Sequence, residues 1–356
     1  MALTGCAALL EREYVDIATH NSALTDDGDP SVLRAENYQE LVNALISFIT
    51  RGAESGSVRL YRSADVVEEE LEAACLEVIQ EDPLGAYCVE HIKYDLESVV
   101  TYFDAEIQIT YRRTREQVAA IQSATGATAI RSELEDALKV FAPECVLRIS
   151  YFDGDEDYIL DLFREAYYSV PDAALDKPKV SVSIYPDSGR QRIVELQLTY
   201  HLEAEELADR HALLLRASED LTLPLLGLKG DARLIGVLRN LAASARFDPE
   251  GGSTAYHALE EGAADSEGLA LAAALLCEDL GIDYRVAVGE KDGMRHVWLV
   301  VATESGWRHV DPSLEEGAQA AFRSDRVQSA LGYVWDADSL PACGPTGDAE
   351  GADPAR

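Results

Sequence analysis

The chain has 356 residues, enough for two or three domains with cores of their own, and its 47% hydrophobic content excludes wholesale disorder. A formal net charge of -35 at pH 7 and a pI near 4.4 exclude nucleic acid and an anionic membrane face as partners, because phosphate binding needs a basic patch. No apolar run is long enough to span a bilayer.

At the N-terminus, Leu3-Thr4-Gly5-Cys6 resembles a bacterial lipobox, the small-residue motif whose cysteine is lipidated after a signal peptide is removed. The resemblance implies lipid attachment at Cys6 and an extracytoplasmic, cell-surface place; without it the expectation is cytoplasmic. The membrane would then be a partner only through that anchor. The stretch Thr25-Asp26-Asp27-Gly28-Asp29-Pro30 reads as a solvated linker. Residues 1–36 are thus taken as motif plus linker.

From Asn37 to about Leu215 the chain repeats itself. The first copy reads as a helix at 38–50, a strand at 58–61, a helix at 66–79, strands at 88–94 and 105–111, and a helix at 115–121. The second reads as a helix at 132–141, a strand at 146–151, a helix at 158–168, strands at 180–185 and 193–200, and a helix at 204–215. Arg59-Leu60 matches Arg148-Ile149, and Ile107-Gln108-Ile109-Thr110-Tyr111 matches Leu196-Gln197-Leu198-Thr199-Tyr200, both offset by 89 residues. One shared offset at two anchors points to duplication. The units are expected at 37–125 and 126–215, each a three-stranded sheet with helices on one face, and neither offers a nucleophile or clustered histidines.

Asp153, Asp155 and Asp157 imitate the start of a calcium loop, but Tyr158 stands where that loop needs Gly and Arg164 where it needs Glu. An N-cap at a strand-to-helix turn is the better reading. The six cysteines, Cys6, Cys75, Cys88, Cys145, Cys277 and Cys343, form no C-x-x-C pair. Neither a metal nor a cofactor is expected.

Leu221 to Leu228 reads as an apolar linker, followed by a helix from Asp231 to about Arg246 with Leu234, Val237, Leu238 and Leu241 on one face. Three islands then follow. Thr254-Ala255-Tyr256-His257-Ala258-Leu259 leads into Ser266, which opens an apolar helix ending at the C-cap glycine Gly281. His296 precedes Val297-Trp298, and Trp307-Arg308-His309-Val310-Asp311-Pro312 closes the set. The last two islands read as neighbouring strands about the turn Glu304-Ser305-Gly306. A hydroxyl on a helix tip facing a His and an Asp on paired strands has the form of nucleophile, base and orienter.

The order and spacing of these islands resemble the transglutaminase-like superfamily, whose papain-like fold carries a Cys on a helix tip followed by His and Asp on strands. Gly332-Tyr333-Val334-Trp335-Asp336 and Pro341-Ala342-Cys343 resemble its closing strand, which places the domain at 216–345. The expected fold class is α+β, two tandem repeated units followed by this domain, with residues 346–356 as an acidic disordered tail. The resemblance implies catalytic positions at Ser266, His296 and Asp311, with Tyr256 as oxyanion donor.

Ser266 stands where the family has Cys. A helix tip and an imidazole together lower a thiol's pKa so that a thiolate preforms, and a hydroxyl cannot follow that route. Cys277 lies about three helical turns from the tip and cannot replace the thiol. The favoured reading is therefore a non-catalytic module whose cleft binds a peptide or protein. Two others stand beside it: a serine-nucleophile amidase, peptidase or acyl transferase using Ser266, His296 and Asp311, and a thiol enzyme inactivated by an introduced serine.

Overall fold

The computed structural model describes residues 24–26, 29–314 and 322–344. Cys6 and the acidic tail lie outside the described residues. Contacts group the described chain up to Ile121 with Ile184–Ile193 as one compact unit, and Gln122–Ser183 with the described residues from Val194 onward as a second.

In the first unit the order is β1 (Leu24–Asp26), β2 (Asp29–Ala35), α1 (Tyr38–Thr50), β3 (Ser55–Leu60), α2 (Val67–Gln80), α3 (Pro83–Cys88), β4 (Val89–Val99), β5 (Tyr102–Tyr111) and α4 (Arg115–Ala119). The sheet runs β1-β2-β3-β5-β4. Asn37 starts α1 because its side chain accepts the Glu40 N–H at 3.0 Å, and Leu41, Leu45, Phe48 and Ile49 then fall on one buried face. On β5, Ala105, Ile107 and Ile109 are buried while Glu106, Gln108 and Thr110 face out, the alternation of a sheet covered on one side.

The second copy holds β6 (Gln122–Ala124), α5 (Gly126–Lys139), β7 (Glu144–Ile149), α6 (Glu156–Ser169), β8 (Lys179–Tyr185) and β9 (Arg192–Thr199), with sheet order β6-β7-β9-β8. This is the order β2-β3-β5-β4 again. In each copy the leading strand runs parallel to the next one. Ala35 pairs with Leu60 and Ala124 with Ile149, which extends the 89-residue offset upstream.

Both leading strands correct the sequence reading. β2 lies wholly within residues 1–36, read as motif plus linker, since it opens on the turn-like Asp29-Pro30-Ser31; β6 is three residues without a β-branched side chain, too short to show an alternation. The sheets thus have four equivalent strands rather than three, and the second copy starts before residue 126. Asp155 is the N-cap expected of it, accepting the Tyr158 N–H at 2.9 Å.

The chain continues through α7 (Ala204–Thr222), α8 (Asp231–Ser244), β10 (Arg246–Gly252), α9 (Ala255–Leu259), β11 (Ala263–Ala264), α10 (Ser266–Asp279), β12 (Tyr284–Lys291), β13 (Met294–Thr303), β14 (Gly306–Val310), α11 (Asp325–Ala330) and β15 (Tyr333–Trp335). Helix α7 runs seven residues past the expected end at Leu215 and into the stretch read as linker. Its last turns are held by tertiary contacts, with Ser218 buried and donating to Asp279 on α10.

Helix α10 is apolar all round, with every residue from Ser266 to Cys277 buried, as befits a helix at the centre of a domain. It packs against α7, α8 and α9 and against β12 and β13 of the antiparallel sheet β14-β13-β12-β15. Two glycines fix its ends. A Cβ on Gly268 would meet the Gly252 carbonyl at 2.7 Å and the Thr254 carbonyl at 2.9 Å, so the first turn lies directly on the backbone before α9. Gly281 follows the last turn with φ +65, the left-handed conformation of a helix stop.

Candidate functional site

Asp265 caps α10 by accepting the Gly268 N–H at 2.9 Å, and its other oxygen accepts Ser253 Oγ at 2.6 Å. That places Ser266 at the first helical position, against β13. His296 lies near the start of β13, and Asp311 directly follows β14, whose residues Gly306 to Val310 pair antiparallel with Thr303 to Leu299.

His296 Nε2 and Asp311 Oδ2 are 2.7 Å apart, and both side chains are buried. Ser313 donates to Asp311 Oδ1 twice, from N–H at 2.9 Å and from Oγ at 2.7 Å, and the Tyr333 hydroxyl donates to Oδ2. Burial alone pushes a carboxyl pKa up; these donors, with His296 first among them, outweigh it and hold Asp311 below the usual carboxylate range. An ionised Asp311 only accepts, so Nε2 carries the imidazole proton and Nδ1 is left as the basic nitrogen. The ring is fixed by aromatic walls, Trp298 stacked at 6.3 Å between centroids and Tyr333 edge-on at 5.7 Å.

Ser266 Oγ does not bond to His296. It accepts the Val297 N–H at 3.3 Å instead, one residue along β13. The tip thus meets the backbone of the strand that carries the base, one residue along from His296. Tyr256 is half-buried on α9, with the Arg210 guanidinium 4.9 Å from its ring and His257 beside it. No described hydrogen bond joins Tyr256 to Ser266, His296 or Asp311.

Several partners escaped the sequence reading. Ser313 and Tyr333 complete the Asp311 cradle, and only Tyr333 sat on a recognised stretch, the closing strand. Glu267 is the other. It is 4% exposed, yet the sequence shows only an acidic residue in a first helical turn, where a solvated carboxylate is ordinary.

A cavity of about 260 Å3 opens beside the tip, between the second copy and the C-terminal domain. Tyr167, Asp176, Lys177 and Arg210 line one wall, and Ser253, Thr254, His257 and Glu267 the other.

His309, Asp325 and Cys343 bring ligand-type atoms within 4.8 Å of one another. Trp298 Nε1–H donates to His309 Nδ1 at 2.9 Å, which forces the remaining imidazole proton onto Nε2, 2.8 Å from Asp325. The one imidazole lone pair, on Nδ1, is then occupied by the Trp298 N–H and not free for an ion. The cluster is hydrogen-bonded beside the Trp298 core, where burial lowers the His309 pKa and pushes the Cys343 thiol up to about 12.

Residues 232–312 match the model of the transglutaminase-like superfamily, so the chain carries a transglutaminase-like domain there. No curated protein matches the chain. Among solved structures, it is similar to a TGase at 13% identity and TM-score 0.26, over 67% of this chain and 68% of that one. A candidate cysteine protease from Cytophaga hutchinsonii matches at 11% identity and TM-score 0.26, over 47% of this chain and 70% of its own. A candidate protease from Parabacteroides distasonis matches at 9% identity and TM-score 0.23, over 73% and 43% respectively.

Proposed function

We propose that the transglutaminase-like domain is a non-catalytic binding module that holds a peptide or a segment of a partner protein, with the 260 Å3 cavity, which Glu267 next to Ser266 helps to line, as part of its binding cleft. One observation carries this reading: the residue at the α10 tip is Ser266, a hydroxyl where the transglutaminase-like family has a thiol, and its oxygen accepts the Val297 N–H with no bond to His296. A hydroxyl attacks only as its proton is removed, and among the described residues no base is in hydrogen-bond contact with it. The cavity meanwhile offers what an extended peptide needs, apolar surface from Leu175, Tyr167 and Leu202 with polar groups from both walls. Leu3-Thr4-Gly5-Cys6 supports an extracytoplasmic, lipid-anchored place for this module, with the repeats as spacer.

The alternative, a serine-nucleophile amidase or acyl transferase, is favoured by the intact His296–Asp311 pair and its Ser313 and Tyr333 supports. Affinity selection from a peptide library separates the two. Wild-type protein is expected to retain a subset of peptides and return them with unchanged masses, and Ser253→Trp, which puts bulk on an exposed wall residue, is expected to release them. Failure of wild type to retain any peptide contradicts the binding reading, and recovery of cleaved or deamidated peptides establishes the alternative.

A further inference from the structure

We propose that Glu267 is a positioning residue through which the second α+β copy sets the spacing between the Ser266 tip and the His296 strand. The inference rests on the reading of the Ser266 cleft as the functional site. The carboxylate is buried at the second residue of α10, and each described donor around it comes from another element. Tyr168 O–H, from α6 of the second copy, donates to Oε1 at 2.6 Å, and Lys177 Nζ reaches the same oxygen at 3.3 Å. Arg295 Nη1 lies 2.8 Å from Oε2, and Arg295 Nη2 donates to the Tyr168 hydroxyl at 3.2 Å.

Three elements thus meet on one side chain. Arg295 immediately precedes His296, and Glu267 immediately follows Ser266. Their ion pair therefore ties the tip to the base-bearing strand alongside the Ser266 Oγ to Val297 N–H bond, one link on each side of His296. Tyr168 bonds to both members of the pair, so the second copy closes the triangle. Lys177 adds its charge with its ammonium 5.6 Å from the Tyr167 and Tyr168 rings.

A buried carboxylate is costly unless fully compensated, and a domain interface could be sealed more cheaply by apolar side chains. Placing it between the two residues that flank the site fixes geometry that apolar packing would leave looser. The repeat is then part of the cleft rather than a spacer alone. Copy one has Gln80 where copy two has Ser169, and its counterpart of Tyr168 at the offset of 89 is Ile79, so this contact belongs to the second copy.

Tyr168→Phe removes one hydroxyl and leaves every charge and ring in place. Amide exchange of full-length wild type and variant reads the clamp without any chemistry at position 266. The segments 264–269 and 294–298 are expected to exchange about tenfold faster in Tyr168→Phe, with 306–310 unchanged. In a Ser266→Cys background, thiol alkylation is expected to fall about threefold or more in Tyr168→Phe and in Glu267→Gln, and the double variant to be no slower than Glu267→Gln alone. Glu267→Asp, which keeps the charge, should recover part of the rate. Equal exchange in both segments overturns the proposal whatever position 266 does. A lowered melting temperature with unchanged alkylation assigns the contact to stability only. Failure of the wild type to retain any peptide, with the exchange result intact, instead rejects the cleft reading and leaves the clamp standing.

Discussion

Ser266→Cys is expected to create a thiol that alkylates at least about tenfold faster at pH 6.5 than an unperturbed cysteine, because the α10 N-terminus, the Val297 N–H and His296 would all favour the thiolate. Iodoacetamide labelling read by peptide mass spectrometry resolves it from the other cysteines. Cys277 is the internal reference, since burial pushes its thiol up to about 12. Adding His296→Ala should slow the new thiol by removing the imidazolium partner. An introduced thiol no faster than Cys277 would mean that the tip has lost the electrostatic character of a nucleophile site, leaving only a binding surface.

Asp311→Ala is expected to be the most destabilising single change at the site, costing about 3 kcal/mol in urea unfolding, because it strands the buried His296 Nε2–H, Ser313 Oγ–H and Tyr333 O–H at once. The loss has a pH signature. Asp311 is held below its unfolded pKa of about 3.9, so the ionised form contributes its stability fully above that pH and loses it as pH falls through the folded value. The gap between wild type and variant should therefore be largest above the unfolded pKa of Asp311 and narrow as pH falls through the folded value. A gap that persists below the folded value, or one that widens there, would mean that Asp311 is not the ionised acceptor of this cradle.

The parts of this molecule that were legible in the sequence are those written locally. Ser266, His296 and Asp311 could be placed because a helix start, a Val-rich strand and a paired strand each leave a mark within a few residues, and the islands resemble a known family in order and spacing. The 89-residue offset likewise announced two like units. What could not be read depends on neighbours distant along the chain. Strand β6 exists because β7 pairs with it, not because Gln122-Ser123-Ala124 favours extension. Helix α7 outruns its periodic pattern because α10 holds Ser218. Glu267 reads as a surface acid until Tyr168, 99 residues earlier, and Arg295, on the facing strand, close over it. The seat of Ser266 Oγ is subtler still, on the Val297 N–H one residue from His296, a detail that no pattern encodes.

The most direct test of the central claim, a transglutaminase-like cleft that binds without turning over, is labelling of the wild-type protein with a fluorophosphonate. Such probes capture a serine whose proton a nearby base removes during attack. With a hydroxyl in place of a thiol at the tip and no hydrogen bond from Ser266 to His296, no adduct at Ser266 is expected after prolonged exposure. Stoichiometric labelling of Ser266, abolished by His296→Ala, would contradict the account and assign the protein to the serine hydrolases.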